Sequence, residues 1–445
     1  MLLALVTSET NKTDKHTHHL PTSSHGGPGQ AKTMTFFGIP CRRCAWLACA
    51  VVVVVAASPS SSWAARLPVR RQSSDDDVSA CKLAADPDVD LSAGFGFAAD
   101  CVSSIGTMTA SMIFVDFSDA PATEDSPVSL RDFFLPAAAD WYATSSYGAL
   151  SLNVTADTAR FYRMPATAAS YNWDRGLTAE AHEKYIQDAV DAYGGAGPPA
   201  ADVLYVVPTA NARAISFSPT YMGEVRARSG SEAIAKKAVT FGYDAYEAWG
   251  SLVLNHETGH TMCLPDYYPG DGRETGLWVG GWDLMGLISG PSPDYFAWDK
   301  WRLGWLADDQ VDCVAAAGQV TSTHVLTPLE VADGGKKAVV VRRNNGTDVL
   351  VAEVRSARGL DAASCATTAG VLLYTVSTRT ASGEGPVEVL DATPGSGGCA
   401  GDERNDATLT LGGTSSYAVP GWGVTVALTE VTDDGEQFTI SVEVA

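Results

Sequence analysis

The chain has 445 residues, of which 45 % are hydrophobic and 18 % charged, and a formal net charge of −22. This is the composition of a globular protein of two or three domains. The acidic balance argues against nucleic-acid binding, which needs a basic face, and suits an acidic secreted protein.

Residues 1–33 are polar and carry His16, His18, His19 and His25. A basic flank at Cys41-Arg42-Arg43 follows, and Met34 offers a second start of translation. The apolar run Ala45–Ala57 and the small-residue stretch Ser58–Ala65 have the order of a signal peptide over residues 34–65, cleaved near Ala64 or Ala65. The run is shorter than the roughly 20 residues of a spanning helix. No stable membrane span is therefore expected, an uncleaved signal anchor being the alternative. Residues 66–104 are polar and mixed, with Arg70-Arg71 as a processing signal, and read as a propeptide or N-terminal segment.

Of nine cysteines, Cys41, Cys44 and Cys49 lie in the leader, which leaves six: Cys81, Cys101, Cys263, Cys313, Cys365 and Cys399. An even number in a secreted chain implies disulfides. Proximity in sequence favours Cys81–Cys101 and Cys365–Cys399, with Cys263–Cys313 by elimination. A free propeptide thiolate could instead cap a metal, which makes Cys81 a latency candidate. Asn153-Val154-Thr155 and Asn345-Gly346-Thr347 match the glycosylation acceptor pattern.

Residues 105–306 read as one domain. Met112–Phe117 and Val203–Val207 are short apolar runs of buried-strand type. Between them, Thr178–Tyr193 has helical periodicity with Ala181, Tyr185, Ala189 and Tyr193 on one face. A strand pattern lies at residues 238–241.

The most informative segment is His256-Glu257-Thr258-Gly259-His260. On a helix, positions i and i+4 share a face, so His256 and His260 can hold one zinc ion, and Glu257 can act as general base. Asp244 and Glu247 are spaced as a capping box for its start. Pro265 ends the helix near Cys263 and lets the chain turn back. Asp266, six residues past His260, is the first carboxylate after the break and the expected third ligand. Asp271, Glu274 and Asp283 are rivals for that role. Downstream, Gly280–Gly286 carries Met285 in a Gly-rich turn, and the aromatic spacing of Pro291–Leu306 suits a packed helix.

Beyond residue 307 the texture changes. Short β-type runs at residues 339–342, 349–354, 370–375, 387–390, 409–411, 424–428 and 438–444 are separated by Gly, Asn, Asp and Ser clusters. The expected fold is α+β: a zincin-like catalytic domain, residues 105–306, followed by a β-rich domain, residues 307–445, of sandwich or jelly-roll type.

The spacing His256, Glu257, His260, Asp266 resembles the metzincin zinc site, with Asp in the place often held by a third His and Cys263 where that motif carries Gly. More closely, the chain resembles the M6 family of secreted metallopeptidases, the immune inhibitor A type. The resemblance rests on the His256–His260 helix with Leu264-Pro265-Asp266-Tyr267-Tyr268, on Trp282–Met285, and on Ala297–Trp305. Met112–Asp119, Ser145–Leu150, Val351–Arg355 and Gly370–Tyr374 are similar to further family segments.

The resemblance implies a zinc endopeptidase acting on protein or peptide substrates, with an edge strand at residues 238–241 to which an extended substrate adds, as zincin sheets commonly offer. Its metal ligands would be His256, His260 and Asp266, its base Glu257 and its turn methionine Met285. Where many metzincins place a Tyr after that Met, this chain has Leu287, leaving Tyr267, Tyr268 and Tyr295 nearby. Calcium fits a secreted protease, but the sequence has no EF-hand loop. The alternatives are a catalytically silent binding protein on the same scaffold and a zinc hydrolase of a non-peptide substrate.

Overall fold

Along Gly106–Asp116, the strand β1, side chains alternate between two cores. Met108, Ala110, Met112 and Phe114 enter one, and Ile113 and Val115 the other. Burial on both faces is the mark of a strand inside a parallel sheet. The computed structural model describes residues 78–96, 100–227, 233–315, 318–365 and 369–445. The leader, Met34, the signal sequence and Arg70-Arg71 lie outside them.

β1 lies between β2 (Leu150–Ala156) and β4 (Ala201–Pro208), with the short β3 (Tyr162–Arg163) also paired to it, all in parallel. The two-residue strands β5 (Thr220–Tyr221) and β6 (Val225–Arg226) run antiparallel to β7 (Ala233–Thr240), which pairs in parallel with β4. The expected edge strand is therefore internal. β7 has neighbours on both sides, and the edge falls to β5, too short to leave a period-2 pattern in the sequence.

Helices α1 (Pro127–Phe134) and α2 (Ala137–Ser145) cover one face of this sheet, with Phe134, Ala138, Trp141 and Tyr142 in the first core. Helix α3 (Ala179–Tyr193) covers the other, its first turn capped by the Thr178 hydroxyl. Its buried face runs through His182, Tyr185, Ile186, Ala189 and Val190, and the outer members of the expected stripe, Ala181 and Tyr193, are only half-buried. A strict four-residue stripe rotates by about 40° per step on a helix of 3.6 residues per turn, so its ends leave the core.

Helix α4 (Ser251–Thr261) packs Val253 and Leu254 into the first core, and the short α5 (Ala297–Arg302) buries Trp298 and Trp301 there. Two sheets follow. The first comprises β8 (Val311–Val314), β10 (Ala338–Arg342), β11 (Asp348–Arg355), β12 (Gly370–Ser377) and β13 (Val387–Val389). The second comprises β9 (Val320–Leu326), β14 (Ser416–Val419), β15 (Val424–Val431) and β16 (Phe438–Val444). Val339, Val341, Leu350 and Leu373 face Leu326, Val426, Phe438 and Ile440 in a core of their own, so the two sheets form a sandwich. The run at residues 409–411 is not a strand. It makes one isolated bridge to Val371, and Gly412-Gly413 leaves Leu411 exposed.

The opposite face of the five-stranded sheet does not meet solvent. Val340, Val351, Leu372 and Tyr374 belong to the same core as Val253, Met285 and Trp298. The chain is thus mixed α and β with a β-rich C-terminal part, and its main core continues across residue 307. Residues 78–96 and 100–104 are built into it. Cys81 and Ala93 are fully buried, and Trp298 Nε1 donates to Ala93 O at 2.8 Å.

Three disulfides link Cys81–Cys313, Cys101–Cys263 and Cys365–Cys399. Only the last follows the expected pairing. The stretch from Cys81 to Cys101 crosses the body, so its ends meet different partners: β8 at one end and the end of α4 at the other. As Cys81 is bonded to Cys313, its thiolate does not cap the metal. Among the described residues no helix is long and apolar enough to cross a membrane.

Candidate metal centre

α4 begins later than its sequence promises. Gly250 takes a positive φ of 58° and separates the helix from a wider turn, Ala245–Trp249. Asp244 caps that turn through Ala245 N and holds Ser218, so it forms no capping box with Glu247 for the metal-bearing helix. At the other end Cys263 adopts a left-handed φ of 63°. A side chain in that region costs about 1 kcal/mol or more. Here Cys263 N donates to His260 O at 2.8 Å, and the bond to Cys101 pins the side chain. The turn usually made by glycine is thus made by a tethered cysteine.

Past Pro265, Asp266 folds back onto the helix. Its Oδ1 lies 3.3 Å from His256 Nε2 and 3.2 Å from His260 Nε2. The three side chains form a group able to hold a metal ion. Both imidazoles are oriented by backbone. His256 Nδ1 is 2.8 Å from Leu284 O, and His260 Nδ1 is 2.8 Å from Leu264 O. A carbonyl only accepts, so in the neutral rings each Nδ1 carries the proton and each Nε2 presents a lone pair.

Asp266 Oδ1 is buried and accepts no hydrogen bond. Three electron-pair donors thus converge, an arrangement suited to a cation or a shared proton. Without metal the proton takes that place. Burial opposes protonation of His260, but the charge of Asp266 outweighs it and raises its pKa to about 9. Burial likewise disfavours the Asp266 anion, yet His260 and His256 hold that carboxyl well below the usual range.

Asp266 is also held from outside residues 105–306. Its N–H donates to Ser382 Oγ at 2.8 Å, and its carbonyl accepts from Gly383 N at 3.0 Å. These residues lie on the loop between β12 and β13. Ser382→Ala is expected to weaken metal binding by about tenfold, the lower end of the effect of losing a partner that orients a ligand. Competition with a chromogenic chelator measures it, and an unchanged affinity would show that the loop's hold is dispensable.

Glu257 is 6 % exposed. The Thr220 hydroxyl on β5 lies 2.8 Å from both its Oε2 and its backbone carbonyl. Burial raises the Glu257 carboxyl above the ordinary glutamate range, the nearby histidines opposing. Met285 is fully buried beside α4. A Cβ at Gly259 would stand 2.7 Å from Met285 Sδ and 2.6 Å from Tyr295 Oη, so glycine between the two histidines is what lets the turn approach.

The rival carboxylates are elsewhere engaged or outside the group. Asp271 pairs with Arg273 at 2.9 Å, Glu274 is exposed, and fully buried Asp283 accepts from Met285 N and Phe296 N. Of the three tyrosines, Tyr267 is buried on Asp299 and Tyr295 is buried near Asn255. Tyr268 lines the cleft with its ring 6.0 Å from that of His256. The two other histidines among the described residues do other work. His182 bonds Thr240 and stays neutral, burial lowering its pKa to about 3, and His324 pairs with Asp312 at 2.7 Å on the sandwich.

A cleft of about 980 Å³ reaches the group at Asp266, which stands in its wall, with β5 along one side and residues 268–273 along the other. Thr220, Ser382 and the cleft's outer wall carry no local sequence signal. Comparison with protein-family models finds no match to this sequence, and comparison with curated proteins finds none either.

Proposed function

We propose that this chain is a secreted zinc endopeptidase with a zincin-type catalytic region, similar to the M6 metallopeptidases. The observation that carries the reading is the convergence of His256, His260 and Asp266, with Glu257 on the same helix, beside a cleft that Asp266 lines and a sheet edge borders. Two neutral imidazoles and one carboxylate are a donor set that suits zinc and leaves a coordination position open. Three disulfides fit an oxidising compartment.

Bound zinc would acidify a water molecule and polarise the scissile carbonyl. The chain's own residues do the rest. The free backbone edge of β5 holds an extended peptide across the cleft by strand addition. Thr220 fixes Oε2 of Glu257, which leaves Oε1 to take a proton from the attacking water and deliver it to the leaving amine. A carboxyl raised by burial is better matched to that transfer near neutral pH than an exposed one. Tyr268, half-buried beside His256, lines the same space.

The test pairs metal analysis with casein cleavage on the purified protein. One zinc per chain and cleavage stopped by chelator, then restored by zinc, are expected. Cleavage indifferent to chelator, or a protein that binds no zinc, would overturn the proposal. Zinc without cleavage of any peptide would point to a binding role.

A further inference from the structure

The charged residues that line the cleft are Arg175, Asp266, Asp271 and Arg273. Asp266 belongs to the metal group. Asp271 and Arg273 cancel one another at 2.9 Å, and the Arg273 guanidinium also sits over Trp278, 5.1 Å from the ring centroid. His182 in the same wall is neutral. Arg175 is the one of these four outside any ion pair or metal group. Its charge is also felt by the half-buried carboxylate of Asp244, itself held by Ser218 and Ala245 N. Arg175 is exposed, and among the described residues it makes no ion pair.

Its position is not that of an arbitrary surface arginine. The guanidinium lies over the Phe217 ring, 4.8 Å from the centroid. Phe217 is itself tied down, its carbonyl accepting from Trp173 Nε1 at 2.8 Å. A guanidinium stacked by its face keeps its edge donors free. Tyr268, whose ring lies 6.0 Å from that of His256, lines the same cleft. Next to Phe217 the chain runs through Pro219 into β5. A peptide lying along β5 would pass this cation within reach of its side chains.

We infer that Arg175 forms a subsite for an acidic side chain, so that the preferred substrates are peptides with Asp or Glu at one fixed position relative to the scissile bond. The inference rests on the peptidase reading above. A carboxylate entering the subsite meets the guanidinium edge as a fork, which distinguishes Glu from its isostere Gln. Asp266 and Asp271, each already engaged, do not oppose it.

The experiment uses quenched fluorescent peptides that differ at one position, carrying Glu, Gln or Lys there, scanned across the positions flanking one cleavable bond. For the wild type, kcat/KM for the Glu peptide is expected to exceed that for Gln by about tenfold at the preferred position, as for one charge-assisted contact. That ratio should shrink with added salt. Arg175→Gln should bring the Glu-to-Gln ratio close to one with metal content intact, and Arg175→Glu should turn the preference toward Lys. Wild type that cleaves the series without preference for Glu, or an Arg175→Gln enzyme that keeps the preference, would overturn the inference while leaving the peptidase reading in place. Cleavage of none of the peptides, casein included, would sink both.

Discussion

Glu257→Gln is expected to lower peptide hydrolysis by about 10²- to 10⁴-fold, the usual contribution of a positioned general base, and to leave zinc content unchanged. The substitution keeps size and shape, and the Gln carbonyl oxygen can still accept from Thr220, which lies 2.8 Å from Oε2. It removes only the capacity to take a proton. His256, His260 and Asp266 are untouched, so one zinc per chain should remain. The readouts are metal analysis and kcat/KM on the same preparations. A homogeneous variant with full activity would remove Glu257 from the mechanism.

The second large effect concerns the β-rich part. A chain ending at Ala307 is expected neither to fold nor to bind zinc, although all three ligands and the base precede that point. α5 takes its N-terminal contacts from the sandwich. Ala297 N donates to Glu353 Oε2 at 2.8 Å, and Trp298 N to Tyr374 Oη at 3.2 Å. Beneath it, fully buried Arg355 pairs with Glu330, Glu353 and Asp361, while Asp361 accepts from Asp294 N at 3.0 Å.

Arg355 and its three carboxylates all leave with the truncation, so no half of that network stays behind unpaired. The retained part loses the acceptors of the Asp294, Ala297 and Trp298 N–H groups, at about 1–3 kcal/mol for each left buried and unpaired, and the sheet that covers its core. That is a large fraction of the stability of an ordinary domain. Asp266 would lose Ser382 and Gly383 as well. Circular dichroism and zinc titration of the truncated chain measure the outcome. A folded, zinc-binding fragment would show that the two regions are independent.

The metal helix was legible because its chemistry is local. Two histidines four apart, a carboxylate after the first and a proline five residues past the second sit within one short run, and each acts through helix geometry alone. Asp266 was legible for the same reason. Thr220 and Ser382 were not, because they reach the site across separations of 37 and 116 residues. The disulfides misled where proximity in the chain stood in for proximity in space. The sandwich was legible as repeated short strands, whereas the burial of its inner sheet against residues 105–306 was not. A parallel or doubly covered strand and a half-exposed one differ in what lies opposite, which composition does not record.

The crosslinks from Cys81 to Cys313 and from Cys101 to Cys263 have a consequence for proteolytic maturation. A nick anywhere from residue 82 to residue 100 sheds nothing. Each new end stays stapled, one to the sandwich and the other to the turn behind the metal helix. On a non-reducing gel the nicked and intact chains would migrate together, and only reduction would part them. A leader peptide that truly departs must therefore be cut away ahead of Cys81.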